Sequence, residues 1–370
     1  MFNEQINKDV FIKPLQIVSG VIDRKQSLPI LSNVLIEKNS SDELKLTATD
    51  LDIQISFRIE DQQLTTDVYS TTVSGKTLLD VLKVLPDGST FSISEISGNR
   101  VNIREGKSRF SLQTLPAADF PVTSIEQGEL FGIKLQQTTL KQLLGTVQYA
   151  MAQQDIRYYL NGVLMVIENS KLKLVATDGH RLAFSETAVD WSAERVEVII
   201  PRKTIVELSK LLSDSNELIQ IIGSGQQLRF EFGSISLVSK IIDGKFPDYQ
   251  RVIPLYDNFL CFNRIGLLKA LQRVSILSND KFHGVRLVLT EKNLCVVSGN
   301  SDQEEAQEDI ETDYHGEALD IGFNVNYLLD GLSCIESEHV NIYFGGANSS
   351  ILMKMPGLEN YKYVVMPMRI

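Results

Sequence analysis

One short pattern occurs three times and governs what this chain can fold into. The segment Leu172-Lys173-Leu174-Val175-Ala176-Thr177-Asp178-Gly179-His180-Arg181-Leu182-Ala183-Phe184 alternates, turns at Thr177-Asp178-Gly179 and alternates again. Alternation puts Leu172, Leu174 and Ala176 on one face and turns Leu182 and Phe184 inward, and Asp-Gly between two apolar runs predicts a hairpin. The same pattern reads Leu44-Lys45-Leu46-Thr47-Ala48-Thr49-Asp50-Leu51-Asp52-Ile53, and in degraded form Asn293-Leu294-Cys295-Val296-Val297-Ser298-Gly299-Asn300. Asp50, Asp178 and Asn300 are separated by 128 and 122 residues. A second anchor, Lys76, Lys203 and Asn326 in three helix-like segments, recurs at 127 and 123 residues. Two independent anchors with one period make this a single unit written three times.

Each third predicts the same succession. A helix over 7–25, 136–154 or 263–278 comes first, with Pro14 near the start of one and Asn263 as the N-cap of another. A strand follows, at Leu31–Glu37, Leu160–Val166 or Gly284–Leu289, then the hairpin, then a second helix over 74–84, 201–212 or 324–334. More alternating strands close each copy. Two helices with roughly six to eight strands make an α+β unit. The boundaries fall near residues 127 and 255, giving 1–126, 127–254 and 255–370.

The 370 residues suit two or three domains, and their hydrophobic content of 43% fills several cores. The net charge of −11 argues against a surface that is basic all over. The charge is unevenly placed, however. The six helical segments carry +8 over 88 residues and the other 282 residues carry −19. A cationic face built from helices predicts weak, salt-sensitive, sequence-independent contact with phosphates, suited to movement along DNA.

Chemistry is not expected. Asp178 and His180 are two apart, as a hydrolytic pair on a strand would be, but Asp50 holds the equivalent place with no histidine, which points to a turn role. The sequence holds no Gly-x-Ser-x-Gly, no HExxH and no Gly-rich phosphate loop. His180, His283, His315 and His339 show no metal-ligand spacing, and neither do Cys261, Cys295 and Cys334, which read as reduced thiols of a cytosolic protein. No metal or cofactor is expected. Met1–Val10 is no signal peptide, and no apolar run approaches the ~20 residues of a membrane helix.

Longer motifs then carry a resemblance. Leu28-Pro29-Ile30-Leu31, Phe110-Ser111-Leu112-Gln113-Thr114-Leu115-Pro116-Ala117-Ala118-Asp119-Phe120-Pro121, Arg157-Tyr158-Tyr159-Leu160-Asn161-Gly162, Ala176-Thr177-Asp178-Gly179-His180-Arg181-Leu182, Lys245-Phe246-Pro247-Asp248-Tyr249 and Tyr363-Val364-Val365-Met366-Pro367-Met368-Arg369 resemble, over the full length and in order, the bacterial DNA sliding clamps, the beta subunits of DNA polymerase III. The resemblance implies three repeated clamp domains per chain, each two helices on antiparallel sheets, with two chains joined head to tail in a ring. The ring would encircle duplex DNA and act as a processivity factor, not an enzyme.

Its implied partners are double-stranded DNA without sequence preference, a second copy of the chain, the replicative polymerase alpha subunit, the clamp-loader complex, and other polymerases and repair proteins carrying clamp-binding peptides. The resemblance places DNA contacts at Arg24, Lys25, Lys76, Gln154, Tyr158, Tyr159 and Lys203, with Arg24 and Lys25 alternatives for one basic position. It places a pocket for leucine and phenylalanine side chains of client peptides at Leu160, Thr177, Gly179, His180, Arg181, Leu182, Pro247, Arg251, Val252, Val364, Val365, Met366, Pro367, Met368 and Arg369. It sets Lys107 and Phe110 against Ile276 and Leu277 at the ring joint, with Glu304, Glu305 and Glu308 as acidic candidates there. A repeat scaffold binding only proteins would explain the threefold pattern but leave the basic helices without a purpose.

Overall fold

Each hairpin tip is closed by one carbonyl oxygen of a short polar side chain. Asp50 Oδ1 accepts from the N–H groups of Asp52 and Ile53 at 2.9 and 2.7 Å. Asp178 Oδ1 accepts from His180 and Arg181 at 2.9 and 3.0 Å, and Asn300 Oδ1 from Asp302 and Glu304 at 3.0 Å each. In the first two tips a threonine adds a second tie: Thr49 Oγ1 donates to the Ile53 carbonyl and Thr177 Oγ1 to that of Arg181, at 2.9 and 2.6 Å. These are Asx and Ser/Thr turns, which Asp, Asn and Thr form by mimicking a backbone turn. The recurrent aspartate is therefore a turn residue.

This is a computed structural model, and it describes residues 3–23, 27–39, 43–60, 68–96, 98–123, 128, 131–279 and 281–369. The expected boundary at 126 and 127 lies outside the described residues, as do Arg24 and Lys25.

Among the described residues there are six α-helices: α1 (Lys8–Ser19), α2 (Gly75–Val84), α3 (Gln137–Val147), α4 (Arg202–Leu211), α5 (Arg264–Val274) and α6 (Val325–Cys334). The caps follow from sequence. Asn7, Ser74, Asn263 and Asn324 each accept an orphan N–H of the first turn. In α5, Leu267, Ala270, Leu271 and Val274 are buried, and in α6 Val325, Leu328 and Leu332 are, the 3.6-residue stripe of a one-sided helix.

Several elements are shorter than the periodicity predicts. The first helix ends at Ser19, and Pro14 lies in its interior. The helix expected over 136–154 stops at Val147 and tightens into a 3₁₀ turn, Gln148–Ala150; that over 263–278 does the same at Ser275–Leu277. The strands expected from Leu31 and Leu160 begin instead at Asn33 and Gly162, each after a 3₁₀ turn, Pro29–Ser32 and Tyr158–Leu160. Pro29 fixes the φ that opens the first of these turns. Apolar side chains in a turn that packs on the sheet look, in sequence, like the strand that follows.

The chain forms two compact units, Met1–Thr138 with Val206–Ile241, and Thr139–Ile205 with Ile242–Ile370. In the first, twelve strands make one sheet from Asn3–Asn7 at one edge to Phe131–Gln136 at the other. Inside that sheet Ile53–Glu60 pairs antiparallel with Ile235–Lys240, placing Ile55 opposite Leu237. The second unit has an eight-stranded and a four-stranded sheet. In its larger sheet Arg181–Ala188 pairs antiparallel with the final strand, Leu358–Val365, setting Leu182 opposite Val364. Distant parts of the chain are thus joined by backbone ladders.

Candidate functional site

The final strand brings the C-terminal segment beside the middle hairpin. Past its last ladder pair, the Met366 N–H donates to the His180 carbonyl at 2.9 Å. A cleft of about 190 Å³ opens there. The hairpin supplies Thr177, Gly179, Arg181 and Leu182; the final strand and its extension supply Val364 and Met366. The 3₁₀ turn Tyr158–Leu160 and the residue before it add Arg157, Tyr159 and Leu160. Phe246, Pro247, Tyr249 and Val252 close the remaining side. Behind the wall, Leu160, Leu182, Phe246, Tyr249 and Val364 continue into a packed apolar core with Leu164, Val175 and Leu352. A concave apolar floor on a rigid core with few polar atoms at the rim is what a short apolar peptide needs.

Two arginines hold the hairpin tip. Arg157 forms a bidentate pair with Asp155, Nε to Oδ1 at 3.0 Å and Nη2 to Oδ2 at 2.9 Å, and Nη2 also donates to the Asp178 carbonyl at 3.1 Å. The paired arginine holds the Asp155 carboxyl down at about 2. Gly179 has φ +91, and a Cβ there would lie 3.0 Å from both terminal nitrogens of Arg157. Both that φ and that approach favour glycine here. Arg181 donates from Nε to Asp178 Oδ2 at 3.0 Å, from Nη1 to Asp330 Oδ2 at 2.6 Å and from Nη2 to the Tyr149 carbonyl at 2.7 Å. Burial disfavours its charge, but Tyr363, Asp330 and Asp178 more than offset this and hold its pKa above the ordinary arginine value.

The pocket residues expected from sequence separate into two groups. Leu160, Thr177, Gly179, Arg181, Leu182, Pro247, Val252, Val364 and Met366 share the cleft wall. His180, Arg251, Val365, Pro367, Met368 and Arg369 stand outside that wall. His180 stacks on Tyr327 with centroids 6.5 Å apart, Arg251 is an exposed partner of Asp248, and Val365 is buried opposite Arg181. Met368 is tied away from the cleft, its N–H donating to the Gly322 carbonyl at 2.8 Å. Arg157, Phe246 and Tyr249 are wall residues not expected from sequence, and Tyr159, expected at the DNA, is a fourth; all four lie inside the quoted motifs.

Of the residues expected to meet DNA, Lys76 is exposed in the first turn of α2 and Gln154 is exposed with φ +56. Tyr158 is 57% exposed. Tyr159 packs edge-to-face against it at 5.9 Å and belongs to the cleft wall. Lys203, in the first turn of α4, is half-buried. The six helices carry +1, +1, +1, +2, +3 and −1, or +7 in all, against −11 for the chain.

Of the joint residues, Lys107 is exposed in the turn before the strand Ser108–Leu115, on which Phe110 is half-buried. Ile276 is 77% exposed in the 3₁₀ turn after α5, beside half-buried Leu277. Glu305 and Glu308 lie on the strand Glu305–Glu311, which Glu304 precedes, and Glu308 pairs with Arg273 of α5.

Three family models, for the N-terminal, central and C-terminal domains of the DNA polymerase III beta subunit, match residues 2–124, 134–248 and 250–369. This chain belongs to the beta sliding clamp family. The beta sliding clamp of Pseudomonas putida is 41% identical over 99% of both chains, and that of Escherichia coli K12 is 39% identical over 99% of both. A crystal structure of the DNA polymerase III subunit beta from Pseudomonas aeruginosa superimposes with a TM-score of 0.96 at 39% identity over 100% of both chains. Another solved clamp from that organism, bound to griselimycin, gives 0.95 at 39% identity over 100% of this chain and 99% of that one. Clamps of this family are processivity factors without catalytic chemistry. Among the described residues no group of His, Cys, Asp and Glu side chains could hold a metal ion, and no helix is long and apolar enough to cross a membrane.

Proposed function

We propose that this chain is the processivity factor of a replicative DNA polymerase, a cytoplasmic head-to-tail homodimeric ring that encircles duplex DNA. It slides, and it tethers the polymerase alpha subunit, the clamp loader, and other polymerases and repair proteins. The division into domains at 1–126, 127–254 and 255–370 belongs to the same reading. The observation that carries it is the apolar cleft beside the middle hairpin, in a chain whose other two hairpins lack a Gly-His-Arg tip. A ring of two chains carries this cleft twice, so a client is held at high local concentration without any grip on base sequence.

Two edges support the joint. Among the described residues, Ser108–Leu115 pairs along one side with Arg100–Glu105 and on the other only through Thr114 and Leu115. Among the described residues Glu305–Glu311 pairs on one side alone, with Asn293–Gly299. The first edge carries Arg109, with Lys107 in the turn before it, and the second carries Glu305, Glu308, Asp309 and Glu311, with Glu304 just before it. An unpaired strand edge invites another strand, and opposite charges select which one. Phe110, Ile276 and Leu277 would be buried there. On the DNA side, Lys76, Gln154, Tyr158, Lys203 and one of Arg24 and Lys25 would meet phosphates, with Tyr158 better placed than Tyr159.

The test is topological. After loading, the chain should stay on closed circular DNA and run off the same DNA once linearised. Equal loss from both forms would refute the ring.

A further inference from the structure

Asp330 belongs to no wall of the cleft. It lies on α6, yet its carboxylate reaches the Arg181 guanidinium at 2.6 Å. Asp178 takes the same guanidinium from the hairpin side at 3.0 Å, and the Tyr149 carbonyl takes a third N–H at 2.7 Å. The Tyr327 ring, one turn earlier on α6, lies 4.5 Å from the guanidinium carbon and stacks with His180. The Arg181 side chain is only 10% exposed. A planar, always-charged fork held on three sides has one geometry available to it.

We propose that Asp330 is a positioning residue for the cleft, acting through Arg181. This rests on reading the cleft as the partner-binding site. At this point the cleft wall is the hairpin tip, Thr177, Gly179, Arg181 and Leu182, whose shape is set by backbone ties. Asp178 Oδ1 holds the N–H groups of His180 and Arg181, Thr177 Oγ1 accepts from Gly179 at 3.1 Å, and the His180 carbonyl holds Met366. All these ties are internal to the tip and the chain end. The Arg181–Asp330 pair fixes them to α6. Without it, the tip, with Gly179 at φ +91, keeps the Arg157 bond to the Asp178 carbonyl and the Arg181 bond to the Tyr149 carbonyl but loses its tie to α6, and it can shift further, carrying the Met366 wall with it. A peptide would then have to order the wall as it binds, and ordering costs affinity. The loss falls on complex lifetime, because encounter does not depend on it.

Asp330→Asn keeps the shape and removes the charge, and it leaves Asp178 as the sole carboxylate on a largely buried cation. The probe is a fluorescein-labelled synthetic peptide ending in Leu-Phe, read by anisotropy and stopped flow on the full-length chain. Hydrogen–deuterium exchange without peptide is the second readout. The expected result is about tenfold weaker binding, from a faster dissociation rate at unchanged association rate. Exchange should rise at 177–182 and 363–369 and nowhere else, and Asp330→Glu should restore most of both. Unchanged affinity and exchange in Asp330→Asn would overturn the proposal. So would a rise in exchange across the whole second unit that Asp330→Glu fails to reverse, since that is a folding defect. If the wild-type chain binds no peptide, the reading of the cleft falls instead, and the exchange arm still decides whether Asp330 holds the tip.

Discussion

The Met366 N–H donates to the His180 carbonyl at 2.9 Å, one residue beyond the last ladder pair of Arg181 with Val365. That bond turns the end of the chain into a wall of the cleft, and Met366, 39% exposed, is its accessible part. Methionine is flexible and polarisable and can fit more than one apolar side chain. Deleting residues 366–370 should therefore weaken a Leu-Phe peptide by roughly tenfold or more, which is about 1.4 kcal/mol. The ladder from Tyr361 to Val365 remains, so far-UV circular dichroism and dimer mass should not change. An unaltered peptide affinity would remove this segment from the site.

Gly179→Ala should damage the tip from within. The φ of +91 is costly for a residue with a Cβ, and the new methyl would crowd the Arg157 guanidinium 3.0 Å away. A strained non-glycine residue costs about 1–3 kcal/mol. The first hairpin shows that such a tip still folds, since Leu51 occupies the equivalent place with φ +82. Urea denaturation should show a stability loss of that size in a chain that remains native. Peptide affinity should fall as well, because Arg157 must move. Full stability in Gly179→Ala would mean that the tip relaxes freely.

Ile276→Ala with Leu277→Ala should give monomers. Ile276 is 77% exposed on a rigid turn whose Ser278 N–H and hydroxyl both return to the Ser275 carbonyl, at 3.1 and 2.7 Å. Burying Ile276 and Leu277 in the joint would remove that apolar surface from water, and truncating both to alanine removes most of this gain. Light scattering at micromolar concentration should read half the wild-type mass. A variant that keeps the dimer mass would show that the joint lies elsewhere.

The sequence displayed the repeat, the hairpins and the core, because period-2 and period-3.6 patterns record which face is buried. It also displayed Asp178 as a turn residue, through Asp50. Lengths were less legible. Leu31 and Leu160 continue an apolar run, yet each lies in a 3₁₀ turn before its strand, and periodicity does not separate a packed turn from a strand. The cleft was legible as motifs and not as a surface. Arg157 and Tyr249 sit within those motifs, but only the folded chain shows that Arg157 reaches the Asp178 carbonyl or that Tyr249 closes the far wall. Asp330 was invisible, being 149 residues from Arg181.

The three thiols should react in a set order. Cys261 is exposed on the edge strand Phe259–Asn263. Burial, then the Asp309 charge, raise the Cys295 thiol above its ordinary value. Burial and the Asp330 charge push Cys334 up to about 11. The thiolate is the nucleophile, so a disulfide reagent at pH 8 should label Cys261 first and Cys334 last. Asp330→Asn removes one cause of the Cys334 shift and should speed its labelling. Simultaneous labelling of all three under native conditions would contradict this packing.

Asp155 supplies a pH dependence whose sign can be worked out. Its folded pKa is about 2 against an ordinary 3.8, the Arg157 hydrogen bond being the main cause. A carboxylate depressed by folding contributes stability that is fully present above the unfolded value and disappears as pH falls through the folded one. The wild-type chain should therefore exceed Asp155→Asn in stability by a constant margin above about pH 5. The margin should shrink progressively below about pH 5, as the unfolded carboxyl begins to take up protons, and be gone only below about pH 2, with Arg157 charged throughout. Because Arg157 also holds the Asp178 carbonyl, Asp155→Asn should weaken peptide binding at pH 7 as well. Thermal unfolding of both chains from pH 6 to 2 measures the margin, and a margin independent of pH would mean that the pair contributes by shape alone.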